Sequence, residues 1–253
     1  YDAFGNVIRK TLTPNGLSSR VENFKYDTSG RFITESTDIE GLKTKFTYDI
    51  FGNPLTTTNP YNQITTFTYD GWTRLASEKN YLGKTTIFSY SRISGNGVRK
   101  TIDYPQGADE IEEYNALGWI IKSGVLGINN KWTYKSIQYD VGERVIKESE
   151  PYFSAPNQWN TTAYDDYGRA VGRTSFNGLI VNISYNGLVT TVDDGTKIIK
   201  TTKDGNNNII KMEDPGGVIN YAYYGNGVMK TANYGSHVVK TEIDGWGRKI
   251  KLI

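Results

Sequence analysis

The chain has 253 residues, room for one or two globular domains or one repeat array, and its 29 basic and 27 acidic residues leave a net charge of +2. Dispersed charge of both signs excludes the clustered basic footprint of a nucleic-acid binder, zero Cys excludes disulfide and thiolate chemistry, and no apolar run approaches the ~20 residues that span a bilayer. The 19 Tyr, 28 Thr, 9 Phe and 27 Gly, against only 7 Pro, favour pleated strands joined by tight turns.

Along the chain one turn recurs about every 22 residues: Tyr1-Asp2-Ala3-Phe4-Gly5-Asn6, Tyr26-Asp27-Thr28-Ser29-Gly30-Arg31, Tyr48-Asp49-Ile50-Phe51-Gly52-Asn53 and Tyr164-Asp165-Asp166-Tyr167-Gly168-Arg169. Clear or degraded copies begin at Tyr1, Tyr26, Tyr48, Tyr69, Tyr90, Tyr114, Tyr139, Tyr164, Tyr185, Lys203, Tyr223 and Ile243, spaced 18 to 25 residues apart. Asp bonds its own downstream amides and Gly takes positive φ without steric cost. A second turn lies midway in each unit: Thr13-Pro14-Asn15-Gly16, Asp38-Ile39-Glu40-Gly41, Asn80-Tyr81-Leu82-Gly83, Ser175-Phe176-Asn177-Gly178 and Asp214-Pro215-Gly216-Gly217. Two turns per unit leave two segments of about seven residues, ordinary strand length. Each unit is therefore a predicted β-hairpin, and the chain an antiparallel meander of about twelve. Two stretches, 91–113 and 147–163, depart from the pattern. They hold Pro105, Pro151 and Pro156, which read as edges, bulges or longer loops.

The strand entering each turn alternates large, polar, Tyr: Phe24-Lys25-Tyr26, Phe46-Thr47-Tyr48, Phe67-Thr68-Tyr69, Phe88-Ser89-Tyr90. Alternation sets Phe and Tyr on one face and Lys, Thr or Ser on the other. The strand leaving the turn opens on apolar pairs such as Phe32-Ile33, Leu75-Ala76, Ile120-Ile121 and Val145-Ile146, which predicts some apolar cover on both faces. About 24 strands at ~4.8 Å give a contour of ~115 Å. A small barrel fills its interior at about eight strands, so the sheet is expected to curve or spiral around a space. A β-propeller would repeat every ~40–50 residues, twice the period seen.

These motifs resemble the YD-repeat, or Rhs, family, whose repeat is Tyr-Asp-x-x-Gly followed by Arg or Asn. Asn6, Arg31, Asn53 and Arg169 stand in that sixth position. The resemblance implies an all-β spiral of hairpins forming part of a hollow shell, here one repeat array over residues 1–253 that reads as a piece of a longer protein opening at Tyr1. It implies a secreted or cell-surface bacterial protein whose shell encloses a carboxy-terminal toxin domain. The partners are then the rest of the shell and that toxin. The alternative is a module that binds carbohydrate or another cell surface.

No catalytic, cofactor or metal site is read from the residues, and no enzyme is expected. The residues singled out are the structural ones of the repeat turns: Tyr1, Asp2, Gly5, Tyr26, Asp27, Gly30, Tyr48, Asp49, Gly52, Tyr164, Asp165 and Gly168. Trp72, Trp119 and Trp246 lie in or beside turns and are the candidates for stacking on a sugar, against a plain role of covering hairpin ends. His237 is the only histidine and lacks further His or Cys for a zinc site. Asp204-Gly205-Asn206-Asn207-Asn208 opens like a calcium loop but has Ile209 and Pro215 where that loop needs Gly and Glu. Asp214-Pro215 has the Asp-Pro of a self-cleavage motif at a position where a turn belongs. The acidic run Asp109-Glu110-Ile111-Glu112-Glu113 reads as a solvated face.

Overall fold

The computed structural model describes residues 1–13 and 18–253, in two compact units, Tyr1–Tyr134 and Lys135–Ile253. The turn expected at Thr13-Pro14-Asn15-Gly16 lies, but for Thr13, outside the described residues. The first unit holds β1 (Arg9–Leu12), β2 (Arg20–Tyr26), β3 (Ile33–Thr37), β4 (Lys43–Tyr48), β5 (Pro54–Thr58), β6 (Ile64–Tyr69), β7 (Leu75–Lys79), β8 (Thr85–Ile93), β9 (Gly97–Asp103), β10 (Glu110–Tyr114) and β11 (Ile120–Leu126). Strand β12 (Trp132–Tyr139) begins in the first unit and continues into the second. The second unit continues with β13 (Val145–Ser149), β14 (Trp159–Tyr164), β15 (Ala170–Thr174), β16 (Ile180–Asn186), β17 (Val189–Asp193), β18 (Ile198–Lys203), β19 (Ile209–Asp214), β20 (Gly217–Tyr223), β21 (Met229–Tyr234), β22 (His237–Ile243) and β23 (Lys249–Leu252). The only helical element among the described residues is the three-residue 3-10 turn Ser94–Asn96. The protein is all-β.

Within each unit the strands form an antiparallel meander. Each pairs with its chain neighbour, from β1–β2 to β10–β11 and from β12–β13 to β22–β23. In such a ladder successive turns lie at opposite ends of the hairpins, so all Tyr-Asp turns share one edge of their unit's sheet. Alternation follows the sequence: in β4 Thr44, Phe46 and Tyr48 are partly covered, while Lys43, Lys45 and Thr47 are exposed.

Next to the Tyr-Asp turns the strict alternation fails. Tyr69 pairs with Leu75 but Thr68 pairs with Ser77, so Ala76 is an extra residue in a β-bulge. The same shift leaves Ile121, Ile146, Val171 and Ile210 unpaired in their hairpins. In these hairpins the second member of the apolar pair is the bulged residue, whereas after Phe32-Ile33 it is Thr34. A bulge inserts one residue on one strand and increases the local twist, which period-two counting does not register.

Little of this protein is a core. Among the described residues the buried apolar side chains are Ile102, Ile111 and Tyr152. All three lie in the two stretches that break the repeat. Ile102 and Ile111 come from β9 and β10; a Cβ on Gly124 of β11 would stand 2.9 Å from Ile111 and 2.6 Å from Tyr134. Tyr152 lies in the loop 150–158, closed by the Glu150 amide donating to the Gln158 carbonyl at 2.9 Å. Its hydroxyl meets Ser136 Oγ at 2.6 Å, and Ser149 Oγ, almost fully buried, accepts the Ser136 amide at 2.8 Å. Pro105, Pro151 and Pro156 all fall between strands.

Candidate functional site

The repeat turns form a chemically patterned region. In most, the amide three residues after the Asp donates back to the Asp carbonyl, and the Asp amide donates to the carbonyl four residues on, or five on, to Phe32, at Asp27. At Asp49 these bonds are Gly52 to Asp49 at 3.2 Å and Asp49 to Asn53 at 2.9 Å. Oδ1 of Asp49 accepts the amides of Phe51 and Asn53, both at 2.9 Å. Asp2, Asp70, Asp140, Asp165, Asp204 and Asp244 repeat this double acceptance. Asp27 accepts from Arg31 and Phe32 at Oδ1 and from the Ser29 hydroxyl at Oδ2.

The midway turns share this pattern. Asp38, Asn59 and Asn80 each accept the same pair of amides. Ser175–Leu179 closes with the same backbone bonds, and a side chain from outside, Asn160 Oδ1, accepts the Phe176 amide at 3.0 Å.

The position that closes the loop demands positive φ. Gly5, Gly30, Gly52 and Gly168 have φ between 68° and 93°. Where the glycine is missing, another residue adopts the same backbone: Thr73 at 61°, Glu143 at 68° and Asn207 at 66°. Gly142, which looks like a displaced turn glycine in the sequence, is not the left-handed residue; Glu143 is. Three degraded copies differ more. After Tyr90 the strand runs on to Ile93 and turns at Ser94–Asn96. After Tyr185 a two-residue loop joins Asn186 to Val189. After Tyr223 the ordinary turn forms with Tyr224 in the Asp place.

In seven turns the sixth residue answers the other carboxylate oxygen, whereas Arg31 lies over Phe32 and leaves Oδ2 of Asp27 to Ser29. Asn6, Asn53 and Asn208 donate Nδ2 to Oδ2 of Asp2, Asp49 and Asp204 at 3.0, 2.8 and 3.1 Å. Arg74, Arg144, Arg169 and Arg248 donate Nε to Oδ2 of their own turn Asp at 2.7–2.8 Å, with a second guanidinium nitrogen at 2.6–2.8 Å. These bonds stabilise the ionised carboxyl. The Arg74 side chain holds Asp70 below its ordinary pKa, and the Arg144 and Asn53 side chains do the same for Asp140 and Asp49.

The repeat tyrosine does something the sequence does not disclose. Its hydroxyl reaches back one repeat and donates to the carbonyl of the residue opposite the first position of the preceding repeat. Tyr48 bonds Ile33 at 2.9 Å, Tyr69 bonds Pro54 at 2.9 Å, Tyr90 bonds Leu75 at 3.0 Å, Tyr164 bonds Val145 at 2.8 Å, Tyr185 bonds Ala170 at 2.9 Å and Tyr223 bonds Ile209 at 2.8 Å. Tyr26 makes a longer version to Val7 at 3.3 Å. Consecutive turns also touch. Phe4 lies over Gly30, and a Cβ on Gly52 would stand 2.6 Å from the Phe32 ring. Phe32 in turn stacks on Tyr48, centroids 5.1 Å apart.

Trp72, Trp119 and Trp246 belong to three different turns. Trp72 is 81 % exposed at a turn tip, while Trp119 and Trp246 are partly covered. His237 is exposed at the start of β22. Asp214 accepts the amides of Gly216 and Gly217 as a turn residue. In the acidic run, Glu112 takes Lys100 at 3.0 Å and the Tyr114 hydroxyl at 2.7 Å, and Glu113 takes Arg99 at 2.5 Å, a cross-strand ion-pair ladder. Burial, followed by the bond to Glu112, pushes the Tyr114 phenol up to about 12. Among the described residues no group of three or more His, Cys, Asp or Glu side chains could hold a metal ion, and no helix is long and apolar enough to cross a membrane.

Comparison with known proteins agrees with this geometry. Residues 26–64, which hold the turns at Asp27, Asp38, Asp49 and Asn59, match the RHS Repeat family model. Curated proteins give no match. Among solved structures, the crystal structure of TcdB2-TccC3-Cdc42 is similar over 100 % of this chain and 15 % of that one, with 16 % identity and a TM-score of 0.65. TcdB2-TccC3-TEV is similar over 92 % and 20 %, with 11 % identity and a TM-score of 0.64. A TccC3 variant of the Photorhabdus luminescens Tc holotoxin pore gives 100 % and 18 %, 14 % identity and 0.53. The chain spans a fifth or less of those chains, and at these identities the likeness is one of fold. Residues 26–64 thus carry an RHS repeat, and the chain shares the fold of these structures.

Proposed function

We propose that this array is a section of wall in a large β-shell of a secreted bacterial protein, enclosing a toxin domain and carrying no catalysis of its own. The observation behind this reading is how the sheet is held together. Among the described residues almost no apolar side chain is buried, and the repeats are joined instead by tyrosine hydroxyls and stacked turns that recur along the array. A structure secured between neighbouring repeats can be lengthened without a thicker core, which is what a wall needs. The shared fold with TcdB2-TccC3 points the same way. Its partners would then be the remaining shell, built mostly by residues outside this chain, and the enclosed polypeptide. Dispersed charge of both signs would let such a wall surround a chain without gripping one sequence.

Limited proteolysis of the longer parent, with and without residues 1–253, tests the proposal. Protection of the enclosed domain should depend on this stretch. Equal protease sensitivity in both, with the remainder folded, would favour surface adhesion instead.

A further inference from the structure

Three repeats hold an arginine in a common cradle. Arg74, Arg144 and Arg169 fork onto Oδ2 of Asp70, Asp140 and Asp165. Each guanidinium also lies over the repeat tyrosine of the following repeat: Arg74 is 4.2 Å from the Tyr90 ring centre, Arg144 is 4.8 Å from Tyr164 and Arg169 is 4.3 Å from Tyr185. A carboxylate at one side and a ring face below make a site for a planar cation, supplied in these repeats by the chain itself.

The repeat at Asp204 has the same walls and a shorter filling. Its turn bonds are the ordinary ones, and Tyr223 donates to Ile209, five residues past Asp204, as Tyr90 donates to Leu75, five past Asp70. The sixth residue, however, is Asn208. Its amide meets Asp204 Oδ2 at 3.1 Å, and the side chain has too few atoms to go on across the Tyr223 ring. The strand also carries Tyr221 where other repeats carry Phe24, Phe46, Phe67 and Phe88. Between this turn and the next lies an open groove of about 510 Å³, lined by Asp204, Asn206, Asn208, Tyr221 and Tyr223 among others. Asp204 is held below its ordinary pKa by the Asn208 side chain and amide, so the groove carries a negative charge at neutral pH. Burial, then the charges of Tyr221 and Asp204, raise the Tyr223 phenol, which keeps it neutral.

We propose that this groove binds an arginine side chain borne by another polypeptide segment, its guanidinium seated between the Asp204 carboxylate and the Tyr223 ring as Arg74 is between Asp70 and Tyr90. A guanidinium supplies both the fork and the flat face; an ammonium supplies neither. Free arginine carries an α-ammonium and an α-carboxylate where a polypeptide has amides, and the cost of desolvating that zwitterion makes it the poorer ligand. The site rests on repeat geometry alone, and its test is independent of encapsulation.

The test is NMR titration of the isotopically labelled chain with N-acetyl-arginine amide, its citrulline counterpart and free arginine. The arginine amide should shift resonances of residues 204–208 and 221–227 and saturate in the millimolar range, with the uncharged citrulline amide weaker by about tenfold or more. Asn208→Arg should fill the cradle from within and abolish those shifts while raising the melting temperature. No shifts with the arginine amide would overturn the proposal, as would citrulline binding equally well or Asn208→Arg binding like the parent. Free arginine binding as tightly as the amide would overturn the polypeptide source. The citrulline comparison uses the unaltered protein, so it decides the matter even if the variant fails to fold.

Discussion

Replacing Gly52 with Ala probes the turn and the contact between turns at once. Gly52 has φ +93°, where an L-residue is strained, and the new Cβ would stand 2.6 Å from the Phe32 ring. The left-handed backbone costs about 1–2 kcal/mol. Carbon atoms pack best at ~3.5–4.0 Å, so the ring must also move by roughly 1 Å. That movement disturbs the Phe32–Tyr48 stack at 5.1 Å, a contact worth about 0.5–1.5 kcal/mol. Gly52→Ala should therefore cost about 2–3 kcal/mol. Gly41→Ala, at φ +83° with nothing within 4 Å of its Cβ, carries the backbone cost alone, about 1–2 kcal/mol. Gly71→Ala, with no positive φ and open space, should be neutral or slightly stabilising. Urea and thermal denaturation of the three variants rank them, and about 1 kcal/mol moves the midpoint by ~2–4 °C in a protein of this size. In a double-mutant cycle Phe32→Ala should remove the excess cost at Gly52. Equal losses at Gly52 and Gly41 would refute the stacking of successive turns, and no loss at either would refute the turn geometry itself.

Four further outcomes follow from the same geometry. Tyr48→Phe and Tyr185→Phe each delete a hydroxyl that joins neighbouring repeats and should cost ~0.5–1.5 kcal/mol; Tyr61→Phe, at an exposed turn tip, should cost nothing measurable in the same melts. Arg74→Ala should lower the melting temperature and Arg74→Lys should fail to restore it, since an ammonium cannot fork onto Asp70 and lie flat over Tyr90; full rescue by Lys would mean that charge alone matters. Thr73→Gly should raise stability by about 1 kcal/mol by relieving a β-branched residue at φ 61°, and a destabilised variant would show that the Thr73 hydroxyl bond to the Trp72 carbonyl outweighs that strain. Acid should weaken the array. The turn carboxyls of Asp49, Asp70, Asp140 and Asp194 titrate below their ordinary value of 3.8 when folded, Asp194 at about 2. Their contribution is complete above 3.8 and is lost as pH falls through the lowered values. The melting temperature should therefore drop between these limits, and a flat profile down to pH 2 would contradict it.

The sequence by itself determined the class of fold, the hairpin unit and the place of most turns. Asp and Gly act within a few residues of themselves, and alternation along a strand is equally local, so a period of about 22 residues exposes both. It also marked 91–113 and 147–163 as irregular, though not that Ile102, Ile111 and Tyr152 would be the buried apolar side chains there. The bulges at Thr34, Ala76 and Ile146 were hidden, because period-two counting does not register an inserted residue. The partners across repeats were hidden too. The carbonyl that Tyr48 reaches lies 15 residues back, and the ring that Arg74 covers lies in a different repeat. Asn and Arg at the sixth position look interchangeable when one turn is considered, since both satisfy Asp Oδ2. Only the tertiary structure separates them, because only there does the longer arginine meet the next tyrosine while Asn208 leaves a groove. A repeat prescribes its own turn through bonds that close locally; what it does to its neighbour is decided by the register that brings the two together.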